Sequence, residues 1–400
     1  MARPCWRIGF WLASALALSL NGACGGSSDT PASDAGRDVK PAPSDGGDDA
    51  ASPDVRRDAA SDTTEKDATA TDAVDALAAD CMTGPSGEPT ELRCSGLYAD
   101  WASKTVASDV RQYDPGLHLW SDGASKTRWI YLPPGTKIDS SNMDQWTFSP
   151  GTKVWKEFVV GGVRIETRLI WKRPSGAWYL TTYRWSADGT STTELLTGEL
   201  DADGNGYEVP TQGACHDCHD GRIDSILGFE AVALSSPQAS GVTMATLTAG
   251  NLLTDPPASP ITIPGNATAA AALGYLHMNC GTSCHNGDTG EAGYTGLLMR
   301  LDVATLASVQ TTNTWTTGVG VNALFQVAGL ADPSPLIFAP CDPDDSAAYY
   351  RMDHRDDVDG TPEGTQMPPE VTHKVDTDGV AMIAAWLNGL SQCGTTTAAP

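Results

Sequence analysis

Two crowded groups of cysteine and histidine stand out in this chain. One is Cys215-His216-Asp217-Cys218-His219, a C-x-x-C-H. The other is Cys280-Gly281-Thr282-Ser283-Cys284-His285, the same order with one more spacer residue. Two thiols can form thioethers with the vinyl groups of a c-type haem, and the imidazole that follows can ligate its iron. A zinc site would need further ligands close by, and only His216 is spare. A thioredoxin-like reading lacks its βαβ surroundings. A structural disulfide beside an incidental histidine is the bland alternative. The spacing therefore implies two covalent c-type haems. Cys215, Cys218, Cys280 and Cys284 are the attachment points, and His219 and His285 the proximal iron ligands.

The second group sits in a recognisable frame. Asn266 can cap a helix from Ala267, whose face of Ala269, Ala272, Leu273 and Leu276 runs straight into Cys280. Far downstream comes Gly364-Thr365-Gln366-Met367-Pro368-Pro369. A last amphipathic helix follows at about 378–390, with Val380, Ile383, Ala384 and Leu387 on one face, Asp376 or Thr377 as cap and Gly389 near its end. The prolines stiffen an extended loop, which makes Met367 the favoured distal ligand. Met299, Met352 and His277 are alternatives, and His354 and His373 read as surface residues. The 82 residues from His285 to Met367 imply an insertion around 300–345. The order helix, Cys/Cys/His, Met before prolines, helix is that of class I c-type cytochromes. The first group has no comparable partner. Met244 is a weak candidate, and a ligand from the other domain or a five-coordinate iron are the other options.

Upstream, residues 118–210 alternate with period two and are rich in aromatics. Trp129 to Leu132, Val154 to Val160, Val163 to Trp171 and Trp178 to Trp185 read as strands. Gly161-Gly162, Pro174-Ser175-Gly176 and Ala187-Asp188-Gly189 read as hairpin turns. Arg164, Glu166 and Arg168 alternate with Ile165, Thr167 and Leu169, which suggests one wet and one dry face. An antiparallel meander closing into a sandwich or small barrel is expected. Eight of the twelve Trp lie between Trp101 and Trp185 and are read as core packing rather than a sugar-binding row. Asp201 to Gly206 looks like the opening of a calcium loop. However, Gln212 stands where a bidentate Glu is wanted, so a polar turn is the better reading.

The ends of the chain bear on compartment. Residues 1–24 read as a secretory signal: Arg3 and Arg7 precede an apolar run from Phe10 to Leu20, shorter than the roughly 20 residues that span a bilayer. Gly22 and Ala23 lead to Cys24, a lipoprotein-like site with Cys24 as the candidate lipidated residue. Residues 25–79 carry 13 acids, 5 bases and no aromatic residue, and are expected to be a disordered tether. The chain's net charge of −25 argues against nucleic acid and anionic lipid surfaces and suits a basic redox partner. Cys81, Cys94, Cys341 and Cys393 remain after the haem motifs, Cys5 and Cys24 are set aside. In an oxidising compartment they suggest two disulfides. Three connectivities exist, and proximity favours Cys81–Cys94 with Cys341–Cys393.

Several strings resemble an uncharacterised family of exported dihaem c-type cytochromes in which an aromatic β-domain precedes the haem region. They are Tyr113-Asp114-Pro115, Leu119-Trp120-Ser121-Asp122-Gly123, Lys126-Thr127-Arg128-Trp129-Ile130, Leu132-Pro133-Pro134-Gly135, Phe148-Ser149-Pro150-Gly151-Thr152 and Glu166-Thr167-Arg168-Leu169. Further matches are Leu227-Gly228-Phe229 after the first motif, Arg351-Met352, Gln366 to Pro369, Val375-Asp376 and Trp386-Leu387. The resemblance spans roughly 113–390 and implies haem binding and electron transfer. The extra residue in the second motif departs from it.

The expected class is α+β: an antiparallel β-rich domain at 80–212, a first haem-binding segment at 213–265, and an α-helical cytochrome c-like domain at 266–400. The expected function is one-electron transfer with redox partner proteins, exported to the periplasm or cell envelope and tethered to a membrane through Cys24. The alternatives are a peroxidase-like haem enzyme with an open iron, and a surface-binding β-domain with accessory haem.

Overall fold

The structure, a computed structural model, describes residues 81, 83–287, 291–356 and 364–390. All of these described residues fall in one unit. The expected signal segment 1–24 with Cys24, the expected linker 25–79 and Cys393 lie outside the described residues. Among the described residues no helix is long and apolar enough to cross a membrane.

The chain is a mixed α+β fold. A short ribbon, β1 (Tyr98–Asp100) and β2 (Thr105–Val106), precedes a seven-stranded antiparallel sheet. That sheet contains β3 (Val110–Asp114), β4 (Ser125–Tyr131), β5 (Lys153–Val160), β6 (Val163–Lys172), β7 (Trp178–Trp185) and β8 (Thr192–Glu194) in meander order. β9 (Ser240–Gly241) is added beside β3. The turns fall where glycine permits positive φ. Gly161 and Gly162 stand at +57° and +82° between β5 and β6, the conformation a two-residue hairpin requires.

The expected sandwich or barrel closure does not occur: the strand order is open, with β8 and β9 at its edges. Both faces are covered by other means. On one face Trp129, Trp155 and Leu169 stand in register and pack with Leu92, Leu97 and Tyr98 of the preceding segment. On the other, Ile130, Val154, Ile170 and Leu180 stand in register, and the segment holding Cys215 and His219 lies over them with the helices. A sheet buried on both faces by helices and loops has no need of a second sheet. The face expected to be wet therefore turns inward: Glu166 is fully buried. Trp129, Trp146, Trp155 and Trp185 are buried core, as expected. The carboxylates of Asp201 and Asp203 accept backbone N–H groups of their own turn.

The helices are α1 (Gln212–His219), α2 (Ala231–Leu234), α3 (Met244–Ala249), α4 (Ala267–Leu276), α5 (Asn313–Gly318), α6 (Ala347–Asp353) and α7 (Thr377–Asn388). Asn266 caps α4 through Ala269 N–H, and Asp376 caps α7 through Gly379 N–H. The expected faces of both helices are buried, Leu273, Leu276, Ile383 and Leu387 completely. The two helices pack together. They cross so closely at Gly379 that a Cβ there would overlap the Tyr275 ring. One continuous core runs from sheet residues such as Tyr113, Ile130 and Val154 to Trp386 and Leu387 of α7. Cys81 and Cys94 are bridged, with S–S 2.05 Å. Cys341 is also disulfide-bonded.

Candidate haem-attachment sites

In α1, Cys215 and His219 are four residues apart and so one helical turn apart. Thr211 starts that turn by accepting from Ala214 N–H. In the second motif the same two groups are five residues apart, and the backbone absorbs the difference. His277–Gly281 forms a π-helical turn continuing α4. Thr282 N–H donates to the His277 carbonyl, and His285 N–H to the Cys280 carbonyl at 2.9 Å. These are bonds across five residues, the mark of a π turn. The first cysteine and the histidine are thus again separated by one hydrogen-bonded turn. Gly281 permits the widening by close approach: a Cβ there would overlap the backbone at Met299 and Arg300.

Both candidate proximal imidazoles are held alike. His219 Nδ1 lies 2.5 Å from the Ser225 carbonyl oxygen, and His285 Nδ1 lies 3.2 Å from that of Leu297. A carbonyl only accepts, so each Nδ1 carries the proton and each Nε2 keeps its lone pair. Burial pushes the His219 pKa down to about 4. Burial also pushes His285 down against its Leu297 hydrogen bond, and the Arg351 charge adds to the fall. Both rings are therefore neutral at pH 7, the form that binds metal.

None of Cys215, Cys218, Cys280 and Cys284 is in a disulfide. Burial pushes Cys218 up to about 11 and Cys280 up to about 12, with Cys284 adding to both. Reactive disulfide-exchange cysteines have lowered pKa values, so this environment opposes a thioredoxin-like role. Among the described residues no three His, Cys, Asp or Glu side chains converge to hold a metal ion directly. Each motif instead offers two thiols and one ring nitrogen, which is the donor set a c-type haem requires.

The motifs touch. Ser283 Oγ donates to the Cys218 carbonyl at 2.9 Å, and Asn286 Nδ2 to the Gly221 carbonyl at 2.7 Å. A Cβ on Gly221 would overlap the Ser283 carbonyl oxygen. Nothing in the spacing of the two motifs announces this contact across 65 residues.

Cys215 and His219 also line a crevice against the sheet, with Val154, Lys156, Arg168 and Leu180 opposite. It holds only about 40 Å³ of open space. Pockets enclosing cofactor-sized ligands have roughly 300–1,000 Å³, so a macrocycle enters only as lining side chains move. A larger groove of about 900 Å³ between β4, α4 and α7 contains none of the four thiols.

The distal candidates separate. Met367 is half-buried, and its N–H donates to the Arg351 carbonyl at 2.8 Å. Arg351 also donates to the Gly364 and Thr365 carbonyls. The Met367 loop is thus pinned to the residue whose charge reaches His285. Met244 starts α3 with its side chain in the core and does not line the crevice of Cys215 and His219. Met299 and Met352 are core residues. His277 accepts from Leu301 N–H at Nδ1 and donates from Nε2 to Glu230, so neither nitrogen is available. His373 pairs with Glu208 at an exposed position.

Sequence reading missed Lys156 and Arg168 as crevice residues, because strand alternation placed Arg168 on a wet face. Comparison with protein-family models, curated proteins and solved structures finds no match to this chain.

Proposed function

We propose that the chain is an exported, membrane-tethered dihaem c-type cytochrome that passes electrons one at a time. The observation that carries this reading is the paired motif. Two sets of thiols outside any disulfide each precede, by one hydrogen-bonded turn, an imidazole with its Nε2 lone pair open, and the two sets touch. Bound haem supplies the one-electron couple. The chain attaches it through Cys215, Cys218, Cys280 and Cys284 and ligates it through His219 and His285. Ser225 and Leu297 orient the two rings and make them more basic, as partners of metal-bound histidines do.

In the second half we assign α4, the π turn, the Met367 loop and α7 as a cytochrome c-like frame, with Met367 as distal ligand. A His/Met pair raises the potential relative to two imidazoles. Cys24 is the proposed lipid anchor, and the acidic surface suits a basic redox partner. A spectroelectrochemical titration tests the function. Two one-electron steps without peroxide turnover are expected. A high-spin ferric band that shifts with peroxide and supports turnover would replace this reading with a peroxidase-like one.

A further inference from the structure

We propose that the groove between β4, α4 and α7 binds an organic monocarboxylate with an apolar body, and that the Arg128 guanidinium grips its carboxylate. The inference does not depend on the haem reading, since none of the four thiols lines this groove. Its open space of about 900 Å³ is that of a small-molecule site, which runs to roughly 300–1,000 Å³.

Arg128 stands apart from the other guanidinium groups of the sheet. Arg164 lies 2.7 Å from Glu157, Arg168 2.6 Å from Glu166 and Arg184 2.7 Å from Glu199. Arg128 is only 5% exposed, and its one ion pair among the described residues is with Asp114, at 3.9 Å. That distance is beyond hydrogen-bond reach. Asp114 is held elsewhere: its Oδ1 accepts from Gly116 N–H and pairs with His118 Nε2 at 2.7 Å. A buried charge without hydrogen-bonded partners bears its desolvation with little to offset it. The guanidinium fork matches a carboxylate through two parallel bonds. Lys126 lies two residues earlier on the same face of β4 and lines the groove with Arg128. Its Nζ gives one N–H to the Leu119 carbonyl, which leaves others for a ligand. Ser235, another lining residue, buries an Oγ with no partner, a second polar atom left unsatisfied at this site.

The α4 wall of the groove is apolar. Ala267, Ala270, Ala271 and Gly274 present one face of α4 to it. Leu117 and Ile263 close over Gly274, where a Cβ would meet both side chains. From Ala267 to Gly274 the helix offers a smooth wall about 10 Å long. Charge narrows the class further. Asp376 and Asp378 also line the groove. Asp376 accepts from Gly379 N–H as the cap of α7, and Asp378 is exposed. These carboxylates, on a chain of net charge −25, oppose a polyanion such as a phosphate. A single carboxylate on Arg128 with an apolar tail along α4 satisfies both ends of the groove.

The test is isothermal titration calorimetry of the full exported chain with decanoate, kept below its micelle concentration. Saturable one-to-one binding is expected. Decan-1-ol carries the body without the charge, and inorganic phosphate the charge without the body. Each is expected to bind at least about tenfold more weakly than decanoate. Arg128→Gln is expected to lose at least about tenfold in decanoate affinity. Because Arg128 is buried, Ala271→Trp serves as a second variant. It fills the groove from an exposed helix position and leaves Arg128 in place, and the same loss is expected. Absence of decanoate binding to the wild type would overturn the proposal. So would either control compound binding as tightly as decanoate, or unchanged affinity in Ala271→Trp. An Arg128→Gln protein that keeps decanoate affinity while its haem absorption spectrum shifts would assign the guanidinium to a haem propionate, and would also overturn it. A chain that binds decanoate but carries no haem would remove the haem reading and leave this site standing, which distinguishes the two failures.

Discussion

A hydrogen bond at one ring nitrogen decides what the other can do. His219 and His285 each donate from Nδ1–H to a backbone carbonyl, and this leaves two Nε2 lone pairs open. His277, an alternative sixth ligand on sequence grounds, has both nitrogens committed. The spacing of cysteine and histidine was legible because the proposed covalent attachment would demand it. Distal ligands are not legible in that way, because they would arrive from remote segments. Met367 is proposed only through its prolines. For Met367, replacement by Ala is expected to convert the second ferric site to high-spin and lower its potential, since loss of the thioether removes a ligand that raises it. Unchanged ferric spectra in Met367→Ala would remove the residue from the iron.

At the scale of elements, hairpins and caps were readable and closure was not. The Gly-Gly turn, the Asn266 cap and the buried faces of α4 and α7 follow from local chemistry. Whether the meander closes depends on what covers its two faces, which alternation alone does not reveal. Arg168 seemed a solvent residue for that reason and instead lines a crevice. The π turn is a second case: one extra residue between cysteines weakens a motif on paper, yet bonds across five residues restore the separation. A third element carries a pH prediction. Glu230 caps α2 by accepting from Val232 and Ala233 N–H groups. Burial alone would raise its pKa, but His277, Arg222 and the Ala233 N–H bring it down to about 2, from 4.5. Its contribution is therefore fully present above about pH 4.5 and lost as pH falls toward 2. Urea midpoints measured across that window should fall, and should fall less in Glu230→Gln. Equal slopes in both proteins would contradict this.

Across the whole molecule, the sheet and the helices share one core, and the two motifs meet within it. Gly221→Ala forces a methyl into the Ser283 carbonyl and is expected to cost about 1–3 kcal/mol by urea unfolding. Ser283→Ala, which only removes the hydroxyl bond to Cys218, should cost about 1 kcal/mol. Equal stability of Gly221→Ala and wild type would mean that the motifs do not touch in solution. The net charge of −25 predicts that reduction by a basic protein slows as salt rises, read by stopped-flow. A rate independent of salt would remove the electrostatic partner argument. The central claim, that this chain carries two covalent haems, meets its most direct test in the intact mass of the exported protein together with its pyridine haemochrome spectrum. Two haems per chain are predicted. One haem would mean that one of the two motifs, most simply the C-x-x-x-C-H, does not function as assigned. A chain with no added mass and no haemochrome band would contradict the account.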